Sequence, residues 1–302
     1  MKAGADALRC VWCGRERALV VALITDERTT VCDACLTYGV GQLDRQWEKH
    51  APGTRHTFLT AAVLAELETL GDEATPAEIA RLVSAALALS GEVPDECRRI
   101  ARQAADAGAP EQALRALALI GPDETILEDA VSRCAASYEL GDYAAARAAL
   151  ADADALGAAD DETPAVAEAW RIAVALRDGS RVDDETLRTW IARLEQDGRA
   201  ASERFELLGR ASQLLVIATV YAECLLRAGR ARKAASALED LERTGVGLGA
   251  PTRFVRGEAL AACGDLEGAR REWLSARSSS RAGTMTRHHA DARLARPVSA
   301  YR

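Results

Sequence analysis

"RCAASYELGDYAAARAALADADALG" (residues 133–157) decides the fold. It reads as two helices broken at Gly141-Asp142, with small or apolar residues at Cys134, Ala146, Leu150 and Ala153. The same register returns twice. "YAECLLRAGRARKAASALEDLERTG" (221–245) gives Ala222, Gly229, Ala234, Leu238 and Leu241, and "VRGEALAACGDLEGARREWLSA" (255–276) gives Gly257, Gly264, Ala269, Trp273 and Ala276. A weaker copy, "ARQAADAGAPEQALRALALI", carries Gly108 and Ala113. Small residues let two antiparallel helices approach closely, and the large residue fills the gap to the next pair. Such a pair cannot bury its apolar face alone, so neighbouring pairs must stack.

Gly108 and Gly141 lie 33 residues apart, and Gly229 and Gly264 lie 35 apart. With "GDY" and "GDL" at the breaks, the pattern resembles the tetratricopeptide repeat, whose period is 34. The resemblance implies an α-solenoid of antiparallel helix pairs over residues 57–280, with a concave face for a peptide or protein segment. Residues 158–220 depart from the register, and a divergent or inserted pair is expected there. Local signals agree with helices. "TPAE" (75–78) is a capping box with Pro76 at the first helical position. "GPDE" (121–124) separates two helices, and "DGSRVDDE" and "GAADDETPA" put acids ahead of apolar runs.

Composition fits a mostly α chain. Of 302 residues 49% are hydrophobic but only 4% aromatic, which favours helices packed through Ala, Leu and Val over a β-sandwich. The net charge is −8. Residues 1–50 are balanced, residues 281–302 carry five Arg against one Asp, and subtraction leaves about −12 between them. An acidic body argues against a nucleic-acid-coating surface. "MKAGADALRC" has no apolar core of a secretory signal, and "ALVVALI" (18–24) is too short to span a bilayer, so a soluble cytoplasmic protein is expected.

In a reducing compartment, paired cysteines read as metal ligands before disulfides. "RCVWCG" (9–14) and "VCDACL" (31–36) place Cys10, Cys13, Cys32 and Cys35 in two Cys-x-x-Cys turns separated by 18 residues. Two such turns offer four thiolates to one tetrahedral ion. A closed four-sulfur shell points to one structural Zn²⁺, with an iron–sulfur cluster or rubredoxin-like iron as the other options. "ALVVALITDERTTV" between the turns reads as two short strands, and "LTYGVGQLDRQWEKH" after them as a helix. Together these make a treble-clef outline. About fifty residues bury little core, so the metal must supply much of the folding energy.

Residues 8–48, with Trp12, Gly14 and Asp33 at the knuckles and an 18-residue gap, resemble the C4-type zinc-binding domain at the N-terminus of ClpX, the unfoldase of the Clp protease. The family's Gly-Pro turn is replaced here by "TDER". The resemblance implies partner docking or self-association through this module. The ATPase half of ClpX has no counterpart, because no Gly-Lys dipeptide exists in the chain and the phosphate-cradling loop requires one.

Residues 51–56 then form a linker, and the basic stretch 281–302, rich in Ser, Gly and Arg, reads as a disordered tail that leaves His288 and His289 solvated. Cys134, Cys224 and Cys263 read as buried inert thiols, and Cys97 as partly exposed. Trp170, Trp190 and Trp273 read first as core, with a peptide groove as the other use; Trp47 reads as a seal for the zinc module. The "DDE" runs are helix caps, and neither a nucleophile elbow nor a His-Glu-x-x-His motif occurs. The function expected is therefore a non-enzymatic, zinc-binding protein–protein interaction protein. A nucleic-acid-binding regulator with a zinc-finger head is the other reading.

Overall fold

The computed structural model describes residues 9–11, 13, 15, 23–25, 30–32, 35, 38, 60–61, 63–67, 75–90, 93–156, 163–178, 182–208, 211–280 and 283–296. The chain divides into two compact units, residues 1–61 and 62–302. Trp12, Gly14, Asp33, Trp47, the "TDER" turn after Thr25, the linker 51–56 and residues 297–302 lie outside the described residues.

In the first unit, β1 (Leu23–Thr25) pairs antiparallel with β2 (Thr30–Cys32), with Leu23 opposite Cys32 and Thr25 opposite Thr30. The pairing carries the second knuckle back toward the first. Cys35 and Tyr38 are helical; the rest of the helix expected after them lies outside the described residues.

The second unit is built of helices. Helical residues 63–67 precede α1 (Pro76–Ser90), α2 (Pro94–Asp106) and α3 (Pro110–Leu117). Then come α4 (Leu127–Glu139) and α5 (Tyr143–Ala155), α6 (Thr163–Arg177) and α7 (Asp184–Leu208), α8 (Ala211–Arg227) and α9 (Ala231–Arg243), α10 (Ala250–Ala262) and α11 (Leu266–Ser278), and finally α12 (Met285–Leu294). The starts are fixed locally. At α1, Glu78 Oε2 accepts from Thr75 N–H at 2.7 Å while Glu78 N–H donates to Thr75 Oγ1 at 3.2 Å, the expected capping box. Asp142, Asp183 and Asp265 accept from the N–H groups of Ala145, Thr186 and Gly268. The "GPDE" break forms a short 3₁₀ turn, Pro122–Glu124, and the α4 start is held by Asp129, which accepts from Ile126 N–H at 3.0 Å.

The repeat register holds in three dimensions. Gly108, Gly141, Gly229 and Gly264 all have φ between 68° and 89°, the left-handed turn that a helix-to-helix reversal needs and that L side chains resist. Cys134, Ala146, Ala222, Ala234, Leu238, Ala269 and Ala276 are fully buried. First helices of successive pairs (α2, α4, α6, α8, α10) pack side by side, and each second helix packs on the first helix that follows it. The fold is a TPR-like α-solenoid whose core runs on from pair to pair. One apolar cluster joins Leu64 and Leu67 to α1–α3, the next α4–α6, and the largest α6–α12. Arg98 ties α2 to α4, donating to Asp129 at 2.9 Å and to the Glu124 carbonyl at 2.6 Å. The divergent pair is α6–α7: α7 runs 25 residues and packs mainly on α8, only lightly on α6.

Three expectations are overturned. The tail is not disordered through residues 285–294: α12 is a helix with Thr284 as its cap and a fully buried Ala290. Its apolar spacing is short and interrupted by Arg, which hid it in the sequence. Cys97 is fully buried, because helix α2 turns it inward against α1 and α3. Cys263 is exposed, because it caps the end of α10 where the chain turns out.

Candidate functional site: a four-sulfur cluster and a helical groove

Hairpin β1–β2 and the two short turns converge Cys10, Cys13, Cys32 and Cys35. Their four Sγ atoms all lie within 4.8 Å of one another. Cys13 and Cys32 sulfurs are 3.7 Å apart. A zinc tetrahedron with Zn–S near 2.3 Å has S···S edges of about 3.8 Å, so the spacing fits a four-thiolate ion site. Cys10 and Cys32 are buried, Cys13 exposed and Cys35 between. The Cys35 N–H points at Cys32 Sγ (3.4 Å) and the Cys10 N–H donates to the Arg15 carbonyl (2.9 Å), contacts that hold both knuckles in shape. Burial, then the neighbouring sulfurs, push the Cys35 thiol up to about 12. Four thiols crowded this closely resist ionising together, and a divalent cation among them removes that resistance. An ion held by four sulfurs has no open position for a substrate.

The second candidate is a groove of about 510 Å³ on the inner side of the first helices, from α2 to α12. Its aromatic wall is Tyr138, Tyr143 and Trp170, with ring centroids 5.5 Å apart for Tyr138–Tyr143 and 5.2 Å for Tyr138–Trp170, both edge to face. Phe254 of α10 stacks on His289 of α12 at 5.7 Å. Val216, Thr219 and Val255 complete the apolar floor, and Thr219 and Thr252 hydroxyls share a 2.8 Å hydrogen bond. Charges are set into this wall. Arg177 of α6 pairs with Glu223 of α8; burial works against its charge, and Glu223 together with Tyr138 and Tyr143 outweighs that and raises it. Glu139 of α4 has its carboxyl raised above the usual range by burial, opposed by N–H and O–H donation from Thr286. Burial and the nearby Arg177, His288 and Arg293 charges lower His289 to about 4, so it is neutral at physiological pH.

The other sequence candidates fall out as packing. Cys134 and Cys224 are buried thiols held up at about 12 by desolvation. Trp273 is core, whereas Trp170 is half-buried and lines the groove. The sequence missed Glu139, Arg177, Glu223 and His289, which meet only because four separate helices share an inner face. His288 is exposed as expected, but His289 is not solvated. Among the described residues no helix is long and apolar enough to cross a membrane.

No known family model matches the chain, and no curated protein matches it. Among solved structures, a tetratricopeptide repeat protein from Parabacteroides merdae ATCC 43184 is similar over 86% of this chain and 91% of its own, at 15% identity and a TM-score of 0.46.

Proposed function

We propose that this chain is a zinc-binding interaction protein that works by holding another protein, without catalysing a reaction on it. The observation that carries the reading is the groove: an apolar and aromatic trough along stacked first helices, with Arg98–Asp129 and Arg177–Glu223 paired within the wall. Apolar floor, aromatic anchors and a few fixed polar groups are what a protein segment needs for a stable seat. Arg98, Asp129, Arg177 and Glu223 are committed to ion pairs and Glu139 to the start of α12, which argues for binding over chemistry. In this reading Cys10, Cys13, Cys32 and Cys35 hold one structural Zn²⁺, and the module they form, of the kind the ClpX-like knuckles imply, offers a second contact surface for a partner or a second copy. The balanced charge of residues 1–50 and the acidic body weigh against nucleic acid as the ligand.

The test is quantitative affinity capture with wild type and three variants. Val216→Arg puts a charge on the groove floor, Leu274→Arg changes an exposed residue of α11, and Cys32→Ser opens the sulfur cluster. A partner retained by wild type and Leu274→Arg but lost from Val216→Arg is expected. Identical capture by all four would overturn the reading.

A further inference from the structure

The groove already has an occupant at one end, the chain's own last helix. Helix α12 follows α11 in the place of a next first helix and packs on α10 and α11. It also reaches back to α4. Thr286 donates its hydroxyl to the Glu139 carboxylate at 3.1 Å across 147 positions of sequence, and its N–H donates to the same group. Met285 lies against Gly141, so close that a Cβ there would stand 2.9 Å from its sulfur. Helices α4, α6, α8, α10 and α12 thus form a closed ring around the groove's inner end, and Met285, Thr286 and His289 face into it.

We propose that α12 is an intramolecular gate: it completes the ring by docking on α4, and a ligand of the groove reaches the inner end by displacing it. The consequence for ligand binding rests on the groove reading; the gate itself does not. Four features make the closure reversible. Across the α4 junction a hydroxyl and one helical N–H meet the Glu139 carboxylate, and the Met285 thioether lies against Gly141. On the α10–α11 side the helix is held by the Phe254–His289 stack, buried Ala290 and Arg287 donation to the Arg277 and Ser280 carbonyls, while Arg293–Glu258 and Arg277–Asp291 are ion pairs of partly exposed side chains that contribute little net stability. Closure also strips water from Glu139, and the α12 N-terminus only partly compensates for that loss; opening returns the water. The last connection passes through Gly283 at φ 94°, a conformation open to glycine. Short helices with few buried apolar groups sit at the low end of local stability in a native protein.

Hydrogen exchange by mass spectrometry on the full chain, with binding of the apolar dye anilinonaphthalenesulfonate read in parallel, tests this without any partner. Thr286→Arg puts a bulky cation at the junction; Met285→Ser removes the thioether from Gly141 without adding bulk; His288→Ala changes an exposed position of the same helix. Exchange of residues 283–296 is expected to rise about ten-fold in Thr286→Arg and less in Met285→Ser, with dye fluorescence rising alongside. Helices α4, α8 and α10 should keep their protection, and His288→Ala should match wild type. If α10 and α11 lose protection together with α12 in both junction variants, α12 is a fixed cap and the gate is overturned. If α12 opens and the dye signal does not rise, it guards nothing, and the proposal fails while the groove reading stands.

Discussion

Gly257 shows how tightly a single position is set. A Cβ there would lie 2.5 Å from both Cδ1 and Nε1 of Trp273 and 3.2 Å from the Ala269 carbonyl oxygen. The glycine is the small partner that lets α10 and α11 close with an indole between them. Gly257→Ala is therefore expected to destabilise the array by about 1–3 kcal/mol through overpacking, read as a lowered thermal midpoint; an unchanged midpoint would contradict the packing. This residue was legible in the sequence because the small–Gly–Ala–large register is local. His289 was not. Its neutral state comes from burial against Phe254, with Arg177 nearby, and that contact depends on a long-range closure. It carries its own prediction. A base whose folded pKa is depressed contributes stability above its unfolded pKa and loses it as pH falls toward the folded value. Wild type should lose stability between about pH 6.5 and about pH 4 from this group, and His289→Phe, which keeps the stack and cannot titrate, should show a smaller loss in chemical denaturation across that window. Parallel pH profiles would contradict the assignment.

At the scale of the element, caps and turns explain why the helices begin and end where they do. The Thr75–Glu78 box starts α1, and Thr75→Ala should cost about 1 kcal/mol, measured as a shift in denaturant midpoint; no shift would mean α1 is held by packing alone. The four cysteines make a sharper case. Their spacing alone foretold the convergence, because two short knuckles joined by a hairpin have few other arrangements. A strong chelator at neutral pH should remove one zinc per chain and loosen residues 9–38, leaving the helical circular-dichroism signal of the array nearly intact. Loss of helix in step with metal would contradict an array that carries its own core. Helix α12 was hidden for a physical reason: at 10 residues with Arg at two positions, it has too little amphipathic period to be read alone, and its partners lie on α4, α10 and α11.

On the scale of the molecule's helical unit, the core runs from pair to pair like a repeat array, yet the path curls until the last described helix touches α4. Repetition in the sequence predicted the stacking. It implied a concave face, but not a path tight enough to bring α12 back onto α4. The inner faces line one trough, and we propose that this trough holds a protein segment. Photo-cross-linking in the native cell tests it most directly. A photoreactive residue at position 216, on the groove floor, is compared with one at position 274, on the exposed face of α11. A discrete protein adduct from position 216 that position 274 does not give is expected. No adduct from position 216, or the same adducts from both positions, would contradict it.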